Sequence, residues 1–159
     1  MSGLAGLLVK GLTKQLAKKA EIPPPSAAKK TQITTTTPTY KKAKDILDSD
    51  NKEGAILDYG AGKGVGAKAI KADTYEPFPD EDFLPDFINS SDIPSNSYSK
   101  ITNLNVLNVV DKKTRNSIVK DISRILTPEG KAIISTRGKD VLEAKGTKGP
   151  EPMSIITSR

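Results

Sequence analysis

The chain has 159 residues, a one-domain length, with 25 Lys and Arg against 19 Asp and Glu, a net charge of +6 and no Trp. It contains neither Cys nor His, which removes disulfides, thiolate nucleophiles, the Ser-His-Asp arrangement and nearly every zinc site. Residues 1–42 carry eight Lys and a single acid, Glu21, so the rest of the chain is close to neutral and the basic character belongs to an N-terminal arm. Any catalysis must rest on carboxylates, Lys, Tyr, Asn, backbone groups or a cofactor, and no metal site is expected.

Residues 1–20 read as a basic amphipathic helix. Leu4, Leu8, Leu12 and Leu16 recur every four residues, and Lys10, Lys14 and Lys18 make a matching stripe. Such a helix docks on the domain or on a partner; a membrane-surface or acidic-partner helix and a cleaved targeting peptide are the alternatives. No apolar run approaches the roughly 18 residues of a membrane span, and the short run Leu4–Val9 lacks the basic region of a secretory signal. A cytoplasmic protein is expected. Residues 21–38 form a linker rich in Pro and Thr, stiffened by Pro23-Pro24-Pro25 and continued by Thr34–Thr37.

Residues 39–159 form the compact domain. A short helix is predicted over Tyr40–Leu47, with Ala43, Ile46 and Leu47 on one side. Ala55-Ile56-Leu57 suits a buried strand ending in a glycine turn, followed by a short helix over Gly64–Lys71 and a strand over Thr74–Glu76. The acidic loop 77–97 is anchored by Phe83, Leu84 and Phe87 and holds a short strand over Pro85–Ile88. Ile101–Val106 is the next strand. Lys112–Leu126 is the clearest helix, with Asp111 as its N-cap and Ile118, Ile122, Ile125 and Leu126 on one stripe. Pro128-Glu129-Gly130 makes a turn, and a strand follows over Lys131–Thr136. Asp140–Ala144 is read as a short helix, Gly146–Pro152 as loop and Met153–Thr157 as a last strand. Strands alternating with helices imply an α/β, Rossmann-like, mostly parallel sheet with helices on both faces. Its ligands bind beyond the carboxyl ends of the strands, where the strand order switches.

The most informative segment is Asp58-Tyr59-Gly60-Ala61-Gly62-Lys63-Gly64. Glycines there let a ligand approach the backbone, and the next helix offers its first amides. A carboxylate at the strand end suits a ligand carrying an ammonium group better than a phosphate. Glu76, 16 residues after Gly60 and at the tip of the next strand, can accept from both hydroxyls of a ribose. With the later strand, long helix and Leu126-Thr127-Pro128-Glu129-Gly130 turn, the segment resembles class I S-adenosylmethionine-dependent methyltransferases. The match covers about Ala55 to Arg137. In particular the chain is similar to small methyltransferase-like domains of tailed phages; for a phage-encoded chain, the cytoplasm is the host's.

The resemblance implies S-adenosyl-L-methionine as cofactor and places Asp58, Tyr59, Gly60, Ala61, Gly62, Glu76, Pro77 and Asn105 around it. Gly60 and Gly62 would pass under the methionine part, Asp58 would lie near its amino group, Glu76 would hold the ribose with Pro77 following, and Asn105 would sit near the transferred methyl. Tyr40 would close over the cofactor, and Asp86, Asn89 and Asp92 are the candidates for the adenine contact. The methyl donor is already a strong electrophile, so alignment can suffice and no acid or base is singled out. The acceptor is not named by the sequence: Asn105-Val106-Leu107-Asn108 lacks the prolines and aromatic of nucleic-acid amino-methyltransferases, and there is no Cys for cytosine C5 chemistry.

The chain departs from the family in a very short helix after the glycine loop and in Ser99, where many relatives carry an acid. The family also closes its sheet with an antiparallel pair of strands, for which only Met153–Thr157 is expected here. An exposed sheet edge, a truncated or inactive copy, or an edge borrowed from a partner follows. Two other readings stand beside this one. Gly62-Lys63-Gly64-Val65-Gly66-Ala67 satisfies G-x-G-x-x-A, the pattern of an NAD-binding domain. Alternatively the fold is a non-catalytic scaffold whose basic arm reaches nucleic acid or an acidic surface, though no aromatics are interleaved in the arm for base stacking.

Overall fold

The computed structural model of the chain describes residues 36–50, 53–137, 146–148 and 155–157. The basic helix expected in residues 1–20, nearly all of the 21–38 linker and the helix expected at Asp140–Ala144 lie outside these residues.

The first described element is helix α1, Pro38–Ser49. Thr37 caps it from an extended conformation, its side chain accepting from the Tyr40 amide at 3.4 Å. Pro38 takes the first helical position, where a missing N–H costs nothing. The helix thus begins at Pro38, ahead of the Tyr40 expected. Ala43 and Leu47 are buried, whereas Ile46 is 46% exposed, because only a narrow face of α1 packs, on α2 and β3.

Strand β1, Ile56–Tyr59, lies at the centre of a four-stranded parallel sheet with β2 (Asp73–Tyr75) on one side and β3 (Tyr98–Leu104), then β4 (Leu126–Ser135), on the other. Helix α2, Val65–Ile70, makes the crossover to β2, and α3, Lys112–Ile125, the crossover to β4. This is the α/β, Rossmann-like architecture expected. The order β2-β1-β3-β4 reverses direction between β1 and β3, the switch point at which such sheets bind ligands. The two-residue period of a strand sorts its side chains. Leu57 and Tyr59 join Ile101, Ile118, Ile122 and Ile125 in the core beneath α3, while Asp58 and Thr102 turn to the face under α1. Asp111 caps α3 as predicted, its carboxylate accepting from the Thr114 amide at 2.7 Å.

Several expectations change. The strand expected over Pro85–Ile88 is a single parallel bridge between Phe87 and Tyr75. Phe83 and Phe87 are half-buried, but Leu84 is 60% exposed; Phe83 and Pro85 turn inward, and alternation leaves Leu84 outside. Asn105 lies past the end of β3 in a left-handed turn (φ 59°) and Val106 follows it outside the strand, which was expected to reach Val106. The turn at Pro128–Gly130 lies within β4: Leu126 pairs with Tyr98 and Lys131 with Lys100, so the residues between them are an excursion in the ladder. Pro128 has no amide to give such a ladder.

Gly146–Lys148, expected as loop, is strand β5, and it pairs antiparallel with β6, Ile155–Thr157. These two form a separate sheet, so among the described residues β4 has no strand on its outer side. No residue of β4 is fully buried. No helix of the described residues is long and apolar enough to cross a membrane.

Ile125 is completely buried at the end of α3, and Val119 on its outer face is 47% exposed. Truncating a buried isoleucine to alanine removes transfer energy and leaves a cavity, so Ile125→Ala should lose about 2–5 kcal/mol in urea unfolding. Val119→Ala should stay within about 0.5 kcal/mol of the parent.

Candidate functional site

The carboxyl ends of β1, β2 and β3 converge on the glycine loop. At the tip of β1 the Asp58 side chain is fully buried, at 0% exposure. One carboxylate oxygen accepts from the Tyr40 hydroxyl at 2.7 Å and the other from Thr102 Oγ1 at 2.7 Å. Burial pushes the Asp58 carboxyl up to about 6, and the two hydroxyl bonds pull the other way. The Tyr40 hydroxyl is held far above its ordinary range by burial first and by the charge and hydrogen bond of Asp58 second. It is therefore a neutral donor to Asp58, with lone pairs of its own still available.

Tyr40 reaches Asp58 by lying across the start of α2. A Cβ at Gly66 would stand 2.3 Å from the Tyr40 ring, so only glycine admits the ring there. Gly64 caps α2 with φ 75°, and a Cβ on it would meet the Phe83 ring at 2.3 Å. The glycines thus dock two aromatic side chains, one from α1 and one from the acidic loop.

Glu76 follows β2. Its carboxylate accepts from the Gly62 amide at 2.8 Å and the Phe78 amide at 3.1 Å, one to each oxygen. Burial raises its pKa, the two amides lower it, and the nearby charges of Asp58 and Asp80 raise it. Asp58, Glu76 and Tyr40 are thus electrostatic neighbours on one side of the loop. Other loop amides are also engaged: Gly60 and Ala61 donate to Tyr75 O at 2.8 and 3.1 Å, and Gly64 donates to Ala61 O at 2.8 Å. The Glu76 carboxylate takes up the Gly62 amide, which a phosphate-binding loop would leave free.

The other expected residues divide. Gly60, Ala61, Gly62 and the buried Pro77 are at the loop with Asp58 and Glu76. The Tyr59 side chain is not: its hydroxyl donates to Asp121 at 2.7 Å on the opposite face of the sheet, so only its backbone borders the loop. Asn105 is exposed beyond β3 and held by a bond from its amide to Ser135 O at 2.9 Å. Asp86 is a fastener between its loop and β2: it accepts from Thr74 N and Oγ1 at 2.8 Å and returns its own amide to Thr74 Oγ1 at 2.9 Å. Asn89 precedes the 3-10 turn Ser90–Asp92, and Asp92 is its last residue. Thr102 escaped the sequence reading, since its meeting with Asp58 depends on the β1–β3 register, Asp58 opposite Thr102.

A cleft of about 430 Å³ opens at the other, amino end of the strands, lined by Lys44, Leu47, Ala55, Ile70, Asp73 and Lys100 among others. It does not touch the glycine loop. Lys100 there donates to Asp50 O, at the end of α1, at 3.4 Å, the place a cation takes at a helix C-terminus.

No family model and no curated protein matches the sequence. Among solved structures, the chain is similar to the PH0226 protein of Pyrococcus horikoshii, at 15% identity over 66% of this chain and 60% of that one, with a TM-score of 0.51. It is also similar to a protein of Thermotoga maritima described as a SAM-dependent methyltransferase and possible histamine N-methyltransferase, at 20% identity over 60% of this chain and 50% of that one, with a TM-score of 0.44. The Pyrococcus likeness shows the shared fold alone. The chain spans half to three-fifths of the length of these two proteins.

A raised carboxyl pKa makes the folded chain hold a proton that the unfolded chain, near its ordinary value of 3.8, has released. Between about pH 4 and 6 this group therefore costs stability as pH rises, by about 3 kcal/mol in full above pH 7. Asp58→Asn should match the parent near pH 4 and exceed it by an amount of that order at pH 7. Urea unfolding of both proteins across pH 4–8 checks this.

Proposed function

We propose that the chain binds S-adenosyl-L-methionine at the carboxyl end of its sheet and works as a methyltransferase, with an acceptor that remains to be named. One observation carries the reading: the Gly60, Ala61, Gly62 and Gly64 amides are bonded within the protein and the loop is bordered by two carboxylates, an environment for a cation and a sugar rather than for a pyrophosphate. Each Glu76 oxygen holds one amide and keeps a lone pair for a ribose hydroxyl. The ammonium of the methionine part would meet the Tyr40 hydroxyl oxygen, with the Asp58 charge behind it. This amends the direct contact expected of Asp58, which Tyr40 and Thr102 enclose.

The residues 86–92 border the remaining side, where Asn89 and Asp92 are left for an adenine edge once Asp86 is tied to Thr74. When bound, the cofactor supplies a methyl group activated on a sulfonium. The chain's part is to align the acceptor, which would approach past Asn105 and Val106 at the end of β3. On this reading the protein acts in the cytoplasm, that of the host if phage-encoded, and the basic residues 1–20 serve to hold an acidic partner or nucleic acid.

The test is thermal melting with S-adenosylmethionine, S-adenosylhomocysteine and NAD. A ligand at 100 times its dissociation constant should stabilise the folded chain by about 2.7 kcal/mol. A shift with NAD alone would establish the dinucleotide reading instead, and no shift with any of them leaves the scaffold reading. Glu76→Gln keeps the shape but loses the charge that the hydroxyls would meet. It should weaken S-adenosylhomocysteine about ten- to a hundredfold in titration calorimetry, the range for hydrogen bonds to a charged group. Unchanged affinity removes Glu76 from the site.

A further inference from the structure

The residues next to the two strand-tip acids point away from the loop. Tyr59 follows Asp58, Tyr75 precedes Glu76, and both rings lie buried on the α3 face with centroids 4.5 Å apart and planes tilted by 60°. The Tyr59 hydroxyl donates to Asp121 Oδ2 at 2.7 Å, and the Tyr75 hydroxyl lies close to Tyr59, Ser90 and the Asp121 charge. Asp121 in turn is gripped by Arg124, through Nε at 3.0 Å and Nη2 at 2.9 Å to Oδ1. The same guanidinium donates to Ile93 O at 2.7 Å, Ser90 O at 2.9 Å and Ser95 Oγ at 3.3 Å. One fork of planar donors thereby joins the tips of β1 and β2 to the 3-10 turn of residues 90–92, all from the back of the sheet.

We propose that Asp121 and Arg124 are positioning residues for the cofactor site, setting the distance between the carboxylate pair and the loop that faces the adenine. The inference rests on the cofactor reading above. Neither residue touches the glycine loop. Their effect passes through Tyr59 and Tyr75 to the two strand tips, and through the carbonyls of Ser90 and Ile93 to residues 86–92. A site that must span an amino acid, a ribose and a base at once depends on the spacing of its parts, and a displacement of about 1 Å is enough to lose affinity. Lysine at position 124 would keep a cation beside Asp121 but could not reach both carbonyls.

The test compares S-adenosylhomocysteine with its S-inosyl analogue, which differs only at the edge of the base, by titration calorimetry on the full chain. In Arg124→Lys the affinity for S-adenosylhomocysteine should fall on the order of tenfold, and the preference for adenine over hypoxanthine should narrow. The melting temperature without ligand should change by only a few degrees. Tyr59→Phe removes one hydrogen bond and no charge, and should move the same ratio in the same direction if Arg124→Lys does not fold. A parent chain that binds neither compound removes the cofactor reading and this inference with it. A parent that binds, with variants that lose both ligands equally or neither, overturns the positioning role alone.

Discussion

The fold turns on one enclosed carboxylate. Asp58 sits on the central strand with no exposure to water and takes a hydroxyl on each oxygen, Tyr40 from α1 and Thr102 from β3. An ionised group in such a place is costly unless its lone pairs are met. Meeting them requires α1, β1 and β3 to be in register with one another. Gly66 follows from the same requirement, since the Tyr40 ring could not cross α2 over any side chain. Helix α1, which precedes the sheet in sequence, is thus bound to its centre by polar chemistry rather than by apolar area alone.

The two faces of the sheet tips divide the labour. On the α1 side are the charges, Asp58 and Glu76, with the glycine loop folded around them. On the α3 side the adjacent residues are aromatic: the Tyr59 hydroxyl joins a network through Asp121 and Arg124, and the Tyr75 ring packs against Tyr59. The alternation of a strand makes this economical. A single peptide unit places a charged side chain on the α1 side and its anchor in the core. The short α2 has a part in it, because β2 begins at Asp73 and brings Glu76 directly onto the Gly62 amide.

What could be read from the residues is what local chemistry dictates. Asp111 announced the start of α3 because a carboxylate before a periodic run caps a helix. The run Ile56-Leu57 followed by glycines announced a buried strand and its turn. The failures share a cause. The partner of Asp58 is 44 residues away in sequence, and nothing in the sequence states the register that sets Thr102 opposite it. Leu84 looked like an anchor by hydrophobicity, but the inward turn of its neighbours decided against it. Pro128-Glu129-Gly130 did signal a break in pairing; the strand then resumed on the same partner, which a turn signal does not convey. Arg124 lies on the polar side of an amphipathic helix, where a solvated arginine and one that binds three carbonyl or carboxylate groups look alike.

The central position of β1 also governs when the domain can assemble during synthesis. Its ladder with β3 joins residues 56–58 to residues 100–102, and only β2, a three-residue strand, is available earlier. Until Thr102 has left the ribosome, Asp58 lacks one of its two donors and Leu57 lacks the Ile101 beside it. Parallel pairings of this span also form slowly, because a long loop must close before any contact repays it. The nascent chain therefore exposes its apolar β1 segment for more than forty residues of elongation, a window in which a chaperone would find it.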